Sequence, residues 1–488
     1  MKVLQVSAEI FPLLKTGGLA DIAGALPAAL QRAGCDARVL LPGFSPIMAD
    51  LQNSSLLTEL HAPWGERVAV RLGLLASVGV MAYVIDAPAL YWRHGTPYED
   101  AQRKPYADNY RRFALLGWVG ARLANGLDHQ WQPQVVHSHD WHAALTSAYM
   151  AFTSAQQMYV ASVYTVHNLA YQGLFAPRHF FELGLPASAF SVDGLEFHGQ
   201  LSFMKAGLFY ADHITTVSPT YAREIQTAEQ GCGLDGLLRA RSHDLTGVLN
   251  GVDETVWDPA TDPAIAYGFD ADKPAGKARC KTVLQQELGL TVQSEAPLFG
   301  VVSRLTEQKG LHLVLAALDA LLAEGGQLVL LGAGDPTLEA AFRERAASRP
   351  QSVSVHIGYD EAYAHRIFAA TDVTLVPSRF EPCGLTQMYG LRYGGLPLVH
   401  HVGGLADTVV DCTLEDLAGE TANGFVFHHF ETPSLLRAIR RAFALYARKA
   451  EWRAVRSRAM RQPLGWGNAA ARYVELYRQV CPGNEGFL

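Results

Sequence analysis

Two cations, Arg304 and Lys309, stand five residues apart in the segment SRLTEQKG, directly after an apolar run. Arginine binds phosphate oxygens through a planar fork and lysine adds a compact positive charge, so the pair suits a diphosphate leaving group. Both would stabilise the negative charge that grows as this group departs. Two exposed surface cations are the alternative, which the position after a predicted strand disfavours.

A second candidate is the segment KTGGLAD at 15–21, between a predicted strand and a predicted helix. Its glycines allow close approach of the backbone, and its amides can face an anion. It is not a Walker A loop, because Leu14 stands where that motif has glycine. A tight turn with a solvated lysine is the alternative.

A third candidate is EPCGLTQ at 381–387, which leads into a predicted helix. The amides of Gly384, Leu385 and Thr386 would form a positive helix start that suits a phosphate, with the Glu381 carboxylate just before it. The alternative is a glutamate that only caps the helix. A nucleophilic role for the cysteine of this segment is disfavoured, because the sequence places no base beside it.

The turn GAGD at 332–335 also follows a predicted strand. Thr337 stands where the third glycine of a dinucleotide fingerprint is expected, which weakens a dehydrogenase interpretation. This turn is as consistent with a plain loop as with a ligand-binding loop.

Histidines are concentrated in HSHDWH at 137–142 and in TVHN at 165–168. Zinc is one interpretation, but no further ligands complete an obvious tetrahedral set. Polar side chains that bind sugar hydroxyls are a better explanation at the edge of a cleft, and hydrogen-bonded structural histidines remain a further alternative.

The elements that must hold these residues alternate between short β-rich runs and helical patterns, which predicts parallel, doubly wound α/β sheets. RVAVRLGLL and VGVMAYVID are too close for a helical crossover and predict a local hairpin. Open sheets of this kind bind ligands beyond the carboxyl ends of their strands. Two such sheets, facing each other across a deep cleft, are therefore expected to hold the site.

The predicted domains are 1–249, 250–462 and a terminal helical segment, 463–488. The first boundary rests on the Asp-, Pro- and Gly-rich stretch that begins near Asn250. In the last segment, breaks are expected at Pro463 and Gly467. The apolar face formed by Tyr473, Val474, Tyr477 and Val480 predicts a helix that packs on folded structure.

Composition narrows the class of protein further. The net charge of -7 argues against binding nucleic acid or an anionic membrane, and six scattered cysteines indicate neither a disulfide framework nor a thiolate zinc site. No apolar stretch approaches the length of a membrane span, and the charged N-terminal run suits a buried strand better than a signal peptide. We expect a cytoplasmic protein.

The chain resembles bacterial glycogen synthases and plant starch synthases over nearly its whole length. The motifs that carry the resemblance are KTGGLAD, HDWHA, TVHNLAYQG, VSPTYAREI, LNGVD, SRLTEQKG, GYD and EPCGLTQMYG. It implies the GT-B architecture, consistent with the two predicted sheets. It also implies transfer of glucose from ADP-glucose to the non-reducing end of glycogen or another α-1,4-glucan, with retention of the α configuration and without a metal or other cofactor.

The resemblance also implies roles for individual residues. In that family the matching positions hold the donor diphosphate, surround the transferred glucose or, for Tyr359, lie against the adenine. The residues implied as catalytic are Glu381, His167, Arg304, Lys309 and Asp140. Those implied to bind ADP-glucose are Lys15, Gly18, Asp21, Asn168, Asn250, Arg304, Lys309, Tyr359, Cys383, Gly384, Leu385 and Thr386.

Three questions stay open at this point. Retention is consistent either with front-face displacement or with a covalent glycosyl-enzyme, although no carboxylate motif stands out as the nucleophile of the latter. A related GT-B transferase that glucosylates a lipid or a small sugar would share the SRL and EPCG signals. A sugar-binding module without turnover would leave the retained cations, carboxylate and histidine unexplained.

Overall fold

The structure is a computed structural model that describes residues 1–153 and 158–481. The chain divides into two compact units. Unit 1 comprises Met1–Gly251 and Trp466–Leu488, and unit 2 comprises Val252–Gly465. The divisions after Gly251 and Gly465 lie two and three residues beyond the predicted boundaries after 249 and 462, so Asn250 belongs to unit 1. Residues 482–488 of the predicted terminal segment lie outside the described part of the chain.

The elements are numbered here in chain order. The strands are β1 (Lys2–Val6), β2 (Asp36–Pro42), β3 (Leu51–His61), β4 (Arg67–Leu75), β5 (Val80–Asp86), β6 (Val135–His139), β7 (Ala161–Val166), β8 (Leu174–Phe175), β9 (Glu196–Phe197), β10 (Gln200–Ser202), β11 (His213–Thr216), β12 (Leu245–Gly247), β13 (Leu298–Val302), β14 (Gln327–Gly332), β15 (Val353–Ile357), β16 (Val373–Val376), β17 (Leu396–His400) and β18 (Phe425–Phe427).

The helices are α1 (Gly18–Arg32), α2 (Ser45–Asp50), α3 (Pro88–Tyr91), α4 (Asn109–Ala124), α5 (Asp140–Ala143), α6 (Leu145–Ala151), α7 (Phe203–Tyr210), α8 (Pro219–Glu224), α9 (Asp235–Ala240), α10 (Ala275–Glu287), α11 (Leu311–Ala323), α12 (Pro336–Ser348), α13 (Glu361–Ala370), α14 (Thr386–Arg392), α15 (Gly403–Thr408), α16 (Leu414–Ala418), α17 (Thr432–Ala447), α18 (Lys449–Met460) and α19 (Trp466–Val480). None of the described helices is long and apolar enough to cross a membrane.

Unit 1 contains a nine-stranded sheet in the order β12-β11-β7-β6-β1-β2-β5-β4-β3. The strands from β12 to β5 run parallel, and β6 and β7 are buried along their whole length, as is typical of parallel strands. The predicted hairpin is confirmed, because β4 pairs antiparallel with β5. Sequence reasoning missed β3, whose mostly exposed, polar residues give no apolar alternation.

The terminal helix α19 belongs to unit 1, where it packs against α1 and the starts of β1 and β6. Tyr473, Val474 and Tyr477 are buried in this contact, as the apolar face predicts. The expected break at Gly467 is wrong, because the helix begins at Trp466 and the glycine lies in its first turn. A glycine at the helix start costs little, since the first amides have no partner within the helix in any case.

Unit 2 is a six-stranded parallel sheet in the order β15-β14-β13-β16-β17-β18. Helices begin at Leu311 and Pro336, and the helix predicted at the EPCGLTQ segment begins at Thr386. Both predicted doubly wound sheets are thus present. In unit 2 the loops that carry the candidate motifs follow the carboxyl ends of β13, β14, β15 and β16.

Candidate functional site

The SRLTEQKG loop of unit 2 follows β13 and is fixed by a close backbone contact. Gly310 has a positive φ of 71°, and a Cβ at this position would lie 2.1 Å from the carbonyl oxygen of Pro377. Only glycine therefore fits. The amide of Arg379 donates to the carbonyl of Gln308 over 2.8 Å, so this loop is tied to the segment after β16.

That contact brings two predicted site residues together. Lys309 Nζ lies 2.5 Å from Glu381 Oε2, although 72 residues separate them in the chain. The Ser378 hydroxyl donates to the same carboxylate oxygen over 2.8 Å. Both members of the ion pair are mostly buried, so their Coulomb attraction is screened less than at the surface. Arg304 lies on the same loop and is exposed.

The EPCGLTQ turn is held by its own side chains and by α15. Gln387 Nε2 donates to the carbonyls of Cys383 and Gly384, which closes the turn at the start of α14. The alternative in which Glu381 only caps α14 is wrong, since the carboxylate binds lysine and serine instead. Cys383 is buried, and Leu385 and Thr386 form the first residues of the helix start.

The GAGD turn packs closely against the SRL segment. A Cβ at Gly332 would lie 1.8 Å from the carbonyl oxygen of Ser303, and one at Gly334 would lie 2.3 Å from that of Leu305. Asp335 caps α12 by accepting hydrogen bonds from two amides at its start. These glycines therefore serve the packing of the turn against the SRL segment, which favours the plain-loop alternative.

Tyr359 follows β15 and is 74% exposed, an unusual position for a large ring. Its hydroxyl contacts the Glu361 carboxylate. A largely exposed aromatic ring of this kind suits stacking on a planar ligand.

In unit 1 the KTGGLAD turn leads into α1, which begins at Gly18. Lys15 Nζ and Asp21 Oδ1 form an ion pair of 2.9 Å, and both side chains are partly exposed. The lysine is therefore held in place, which argues against the solvated-lysine alternative. A Cβ at Gly17 or Gly18 would meet nothing within 4 Å, so the backbone at the helix start borders open space.

Asp140 directly follows β6 and begins α5 in a strained conformation, with a positive φ of 55°. Strain of this kind is concentrated at functional sites. Its carboxylate accepts hydrogen bonds from the amides of His167 and Asn168, over 2.8 and 3.4 Å, and so links the two predicted segments. Burial raises the pKa of Asp140 to about 7, partly offset by these amides.

The histidines divide into two groups by their hydrogen bonds. Both ring nitrogens of His137 and of His139 have partners in the core, so these two side chains match the structural-histidine alternative. His167 also contacts His139, but within the described residues its buried Nδ1 has no hydrogen-bond partner. Burial lowers the pKa of His167 to about 3, which keeps the ring neutral.

Asn250, one of the residues implied to bind ADP-glucose, is buried near the end of unit 1. Its Oδ1 has no hydrogen-bond partner among the residues that the structure describes. An orphaned buried amide oxygen is costly, so this atom is available to a polar ligand. Across 1–153 and 158–481, no three His, Cys, Asp or Glu side chains are arranged to hold a metal ion.

Two family models match the chain in the same order as the two units. Residues 2–240 match the starch synthase catalytic domain, and residues 289–454 match glycosyl transferases group 1. A glycogen synthase from Variovorax paradoxus is 64% identical, over 98% of this chain and 99% of that protein. Another from Leptothrix cholodnii is 57% identical, over 99% and 100%.

The chain belongs to the glycogen synthase family. It is a glycosyltransferase, and its reaction is glucosyl transfer in glycogen synthesis. The catalytic domain of starch synthase IV from Arabidopsis thaliana, bound to ADP and acarbose, superposes with a TM-score of 0.88 at 32% identity, covering 99% of both chains. The GT-B fold class is therefore confirmed. A sucrose-phosphate synthase from Thermosynechococcus elongatus shares only the fold, at 18% identity, 98% coverage of both chains and a TM-score of 0.57.

Sequence reasoning missed Glu9, which supports the KTGGLAD turn. Its buried carboxylate accepts a hydrogen bond of 2.6 Å from the amide of Thr16 and also contacts the Thr16 and Tyr98 hydroxyls. Glu9 thereby holds the KTGGLAD turn in place. The only signal in the sequence was a glutamate within an apolar run, which also fits an exposed strand end.

Proposed function

We propose that this glycogen synthase family member transfers glucose from ADP-glucose to the non-reducing end of an α-1,4-glucan, retains the α configuration and releases ADP. The observation that carries the proposal is the Lys309–Glu381 pair, which joins the loops that follow β13 and β16; the exposed Arg304 lies on the first of these loops. The starch synthase relative that binds ADP and acarbose supports the donor and acceptor classes.

In unit 2 we assign the cations to the leaving diphosphate. Arg304 and Lys309 bind its oxygens and stabilise the charge that develops as the bond to glucose breaks. The helix start at Gly384, Leu385 and Thr386, together with the preceding Cys383 backbone, adds aligned amides. The Tyr359 ring stacks on adenine, which its exposure permits.

In unit 1 we assign the turn at Lys15 and Gly18 to the phosphates as well. We assign the other predicted site residues of unit 1 to the sugar. They are Asp21, Asp140, His167, Asn168 and Asn250. In unit 2 we assign Glu381 to the transferred glucose.

The donor is tested by incubating the purified protein with glycogen and either ADP-glucose or UDP-glucose, and by measuring the released nucleotide. We expect clear preference for ADP-glucose. Equal or faster turnover of UDP-glucose would contradict this assignment. Proton NMR of the newly formed linkage tests retention, since an inverting enzyme would give a β product.

We also propose that the reaction needs no metal and takes place in the cytoplasm. Arg304 and Lys309 provide the positive charge that a metal ion supplies in other transferases. Activity should survive treatment with EDTA. Loss of activity with EDTA, followed by recovery on adding a divalent cation, would contradict the proposal.

A further inference from the structure

A continuous chain of hydrogen bonds connects His167 with the terminal helix α19 through the core of unit 1. His167 Nε2 lies 3.0 Å from His139 Nδ1, and His139 Nε2 lies 2.6 Å from the Gln5 Oε1 atom. The Gln5 amide nitrogen donates to the Tyr477 hydroxyl over 3.2 Å. The Tyr477 hydroxyl in turn lies 2.6 Å from His137 Nδ1.

The direction of these hydrogen bonds follows from the atoms that take part. Burial lowers the pKa of both His139 and His167, so each ring is neutral and carries one N–H. The Gln5 carbonyl oxygen can only accept, so His139 donates from Nε2 and its Nδ1 must accept. His167 therefore donates from Nε2, and its Nδ1 bears a lone pair.

The other end of the chain is consistent with this direction. Because the Tyr477 hydroxyl accepts from Gln5, its own proton is available to His137 Nδ1. His137 then donates from Nε2 to Thr165 Oγ1 over 2.5 Å, and Thr165 contacts the Thr215 hydroxyl over 2.5 Å. Each donor along the chain has one acceptor, so reversing one bond requires reversing its neighbours.

We propose that Gln5 and Tyr477 are positioning residues that hold His167 in the Nε2-protonated tautomer. Its Nδ1 then accepts a hydrogen bond from a hydroxyl of the transferred glucose. This inference rests on the proposed function, which assigns His167 to the sugar. It gives α19 a role in the chemistry through Tyr477, beyond its packing on α1.

The tautomer is tested directly by ¹⁵N NMR of the full-length protein labelled at histidine. His167→Ala identifies the His167 signals by their disappearance. We expect a protonated Nε2 and an unprotonated Nδ1 in the wild-type protein. A protonated Nδ1 would mean that the Gln5 amide is oriented the other way, and it would overturn the proposal.

Kinetic measurements test the roles of the two positioning residues. Gln5→Leu removes the acceptor of His139, and Tyr477→Phe removes the hydroxyl on which Gln5 and His137 depend. In each variant we expect kcat to fall about tenfold, with little change in the KM for ADP-glucose, and a mixture of His167 tautomers. Gln5→Glu keeps an acceptor for His139 and should restore the single tautomer.

Tyr149→Phe is the matched control, because it removes another buried hydroxyl of unit 1, which donates to the Leu183 carbonyl over 2.7 Å. It should change thermal stability but not kcat or the His167 spectrum. If Gln5→Leu does not fold, Tyr477→Phe decides the question. Kinetics and spectra of Tyr477→Phe that match the control would overturn the inference, whereas normal turnover of His167→Ala would refute the assignment of His167 to the sugar.

Discussion

The polar residues at the strand ends of the two units differ in charge. In unit 1, His139 and His167 are buried, neutral and hydrogen-bonded through Gln5 to Tyr477. In unit 2 the corresponding strand ends carry the Lys309–Glu381 ion pair. The carboxyl ends of the strands therefore provide a neutral environment around His139 and His167 in unit 1, which suits hydroxyl groups, and a charged environment in unit 2, which suits phosphate.

The two units also differ in how these side chains are held in place. The histidine rings of unit 1 are oriented by side chains from β1, β7 and α19, so their arrangement depends on core packing. The charged pair of unit 2 depends on backbone contacts between two loops, at Gly310 and Pro377. Substitutions should thus act mainly on charge stabilisation in unit 2 and on proton placement in unit 1.

Of the substitutions that test this difference between the units, removal of the unit 2 cations should have the largest effect on activity. We expect Lys309→Ala and Arg304→Ala each to lower kcat by roughly a hundredfold or more, because a positioned charge is lost from a developing anion. Steady-state turnover of ADP-glucose measures the effect. Arg366→Ala, an exposed cation paired with Glu287, is the control and should be near normal. Normal turnover of both site variants would show that Lys309 and Arg304 are only surface charges.

The backbone contact in unit 2 is tested by Gly310→Ala. A positive φ and a Cβ at 2.1 Å from a carbonyl oxygen both oppose alanine, and we expect a loss of roughly 3 kcal/mol in unfolding free energy. Gly325→Ala is the matched control, with a φ of 88° and nothing within 4 Å of the added Cβ. It should cost about 1 kcal/mol. Equal losses in denaturant titrations would show that the contact with Pro377 is unimportant.

The neutral histidines of unit 1 should make its stability sensitive to acid. The pKa of His142 falls to about 3 on folding, from an ordinary value of 6.5. Between these two pKa values the unfolded chain binds a proton that the folded protein does not bind. The stabilisation due to the neutral ring is therefore complete above pH 6.5. It decreases as the pH falls, by about 1.4 kcal/mol per pH unit for each such histidine.

Calorimetric unfolding between pH 7 and 5 measures this dependence. His142→Phe should reduce the slope by about one proton, because the ring lies among Tyr98, Phe113 and Trp141 and an apolar ring fits there. His129→Gln, at an exposed position, is the control. An unchanged slope in His142→Phe would contradict the assignment of a neutral buried ring.

The smallest expected effect concerns the exposed ring of unit 2. Tyr359→Ala should raise the KM for ADP-glucose about tenfold, with little change in kcat, since stacking on a base contributes roughly 1–3 kcal/mol. Tyr359→Phe should bind nearly as well as the wild type. Phe181→Ala removes another highly exposed ring and serves as the control. An unchanged KM in Tyr359→Ala would remove this residue from the donor site.

Much of the architecture followed from local pattern. Apolar runs such as LFGVV and QLVLLG are short, continuous and followed by helical periodicity, so the parallel sheet of unit 2 was predictable. The polar edge strand β3 was not, because its side chains are mostly exposed and its pairing with β4 supplies the stabilisation. The roles of Gly332 and Gly334 were also undecided, since a glycine that permits packing and one that admits a ligand look the same in sequence.

The sequence by itself determined the two α/β sheets, the family and the residue types at the strand ends, because these depend on periodicity and on short motifs. Tertiary structure alone decided which of them meet. Distant residues meet in the pairs Lys309–Glu381 and Glu9–Tyr98 and along the path from His167 to Tyr477. Hydrogen bonds and ion pairs act over a few ångströms, so their partners are fixed only when packing has brought distant segments together.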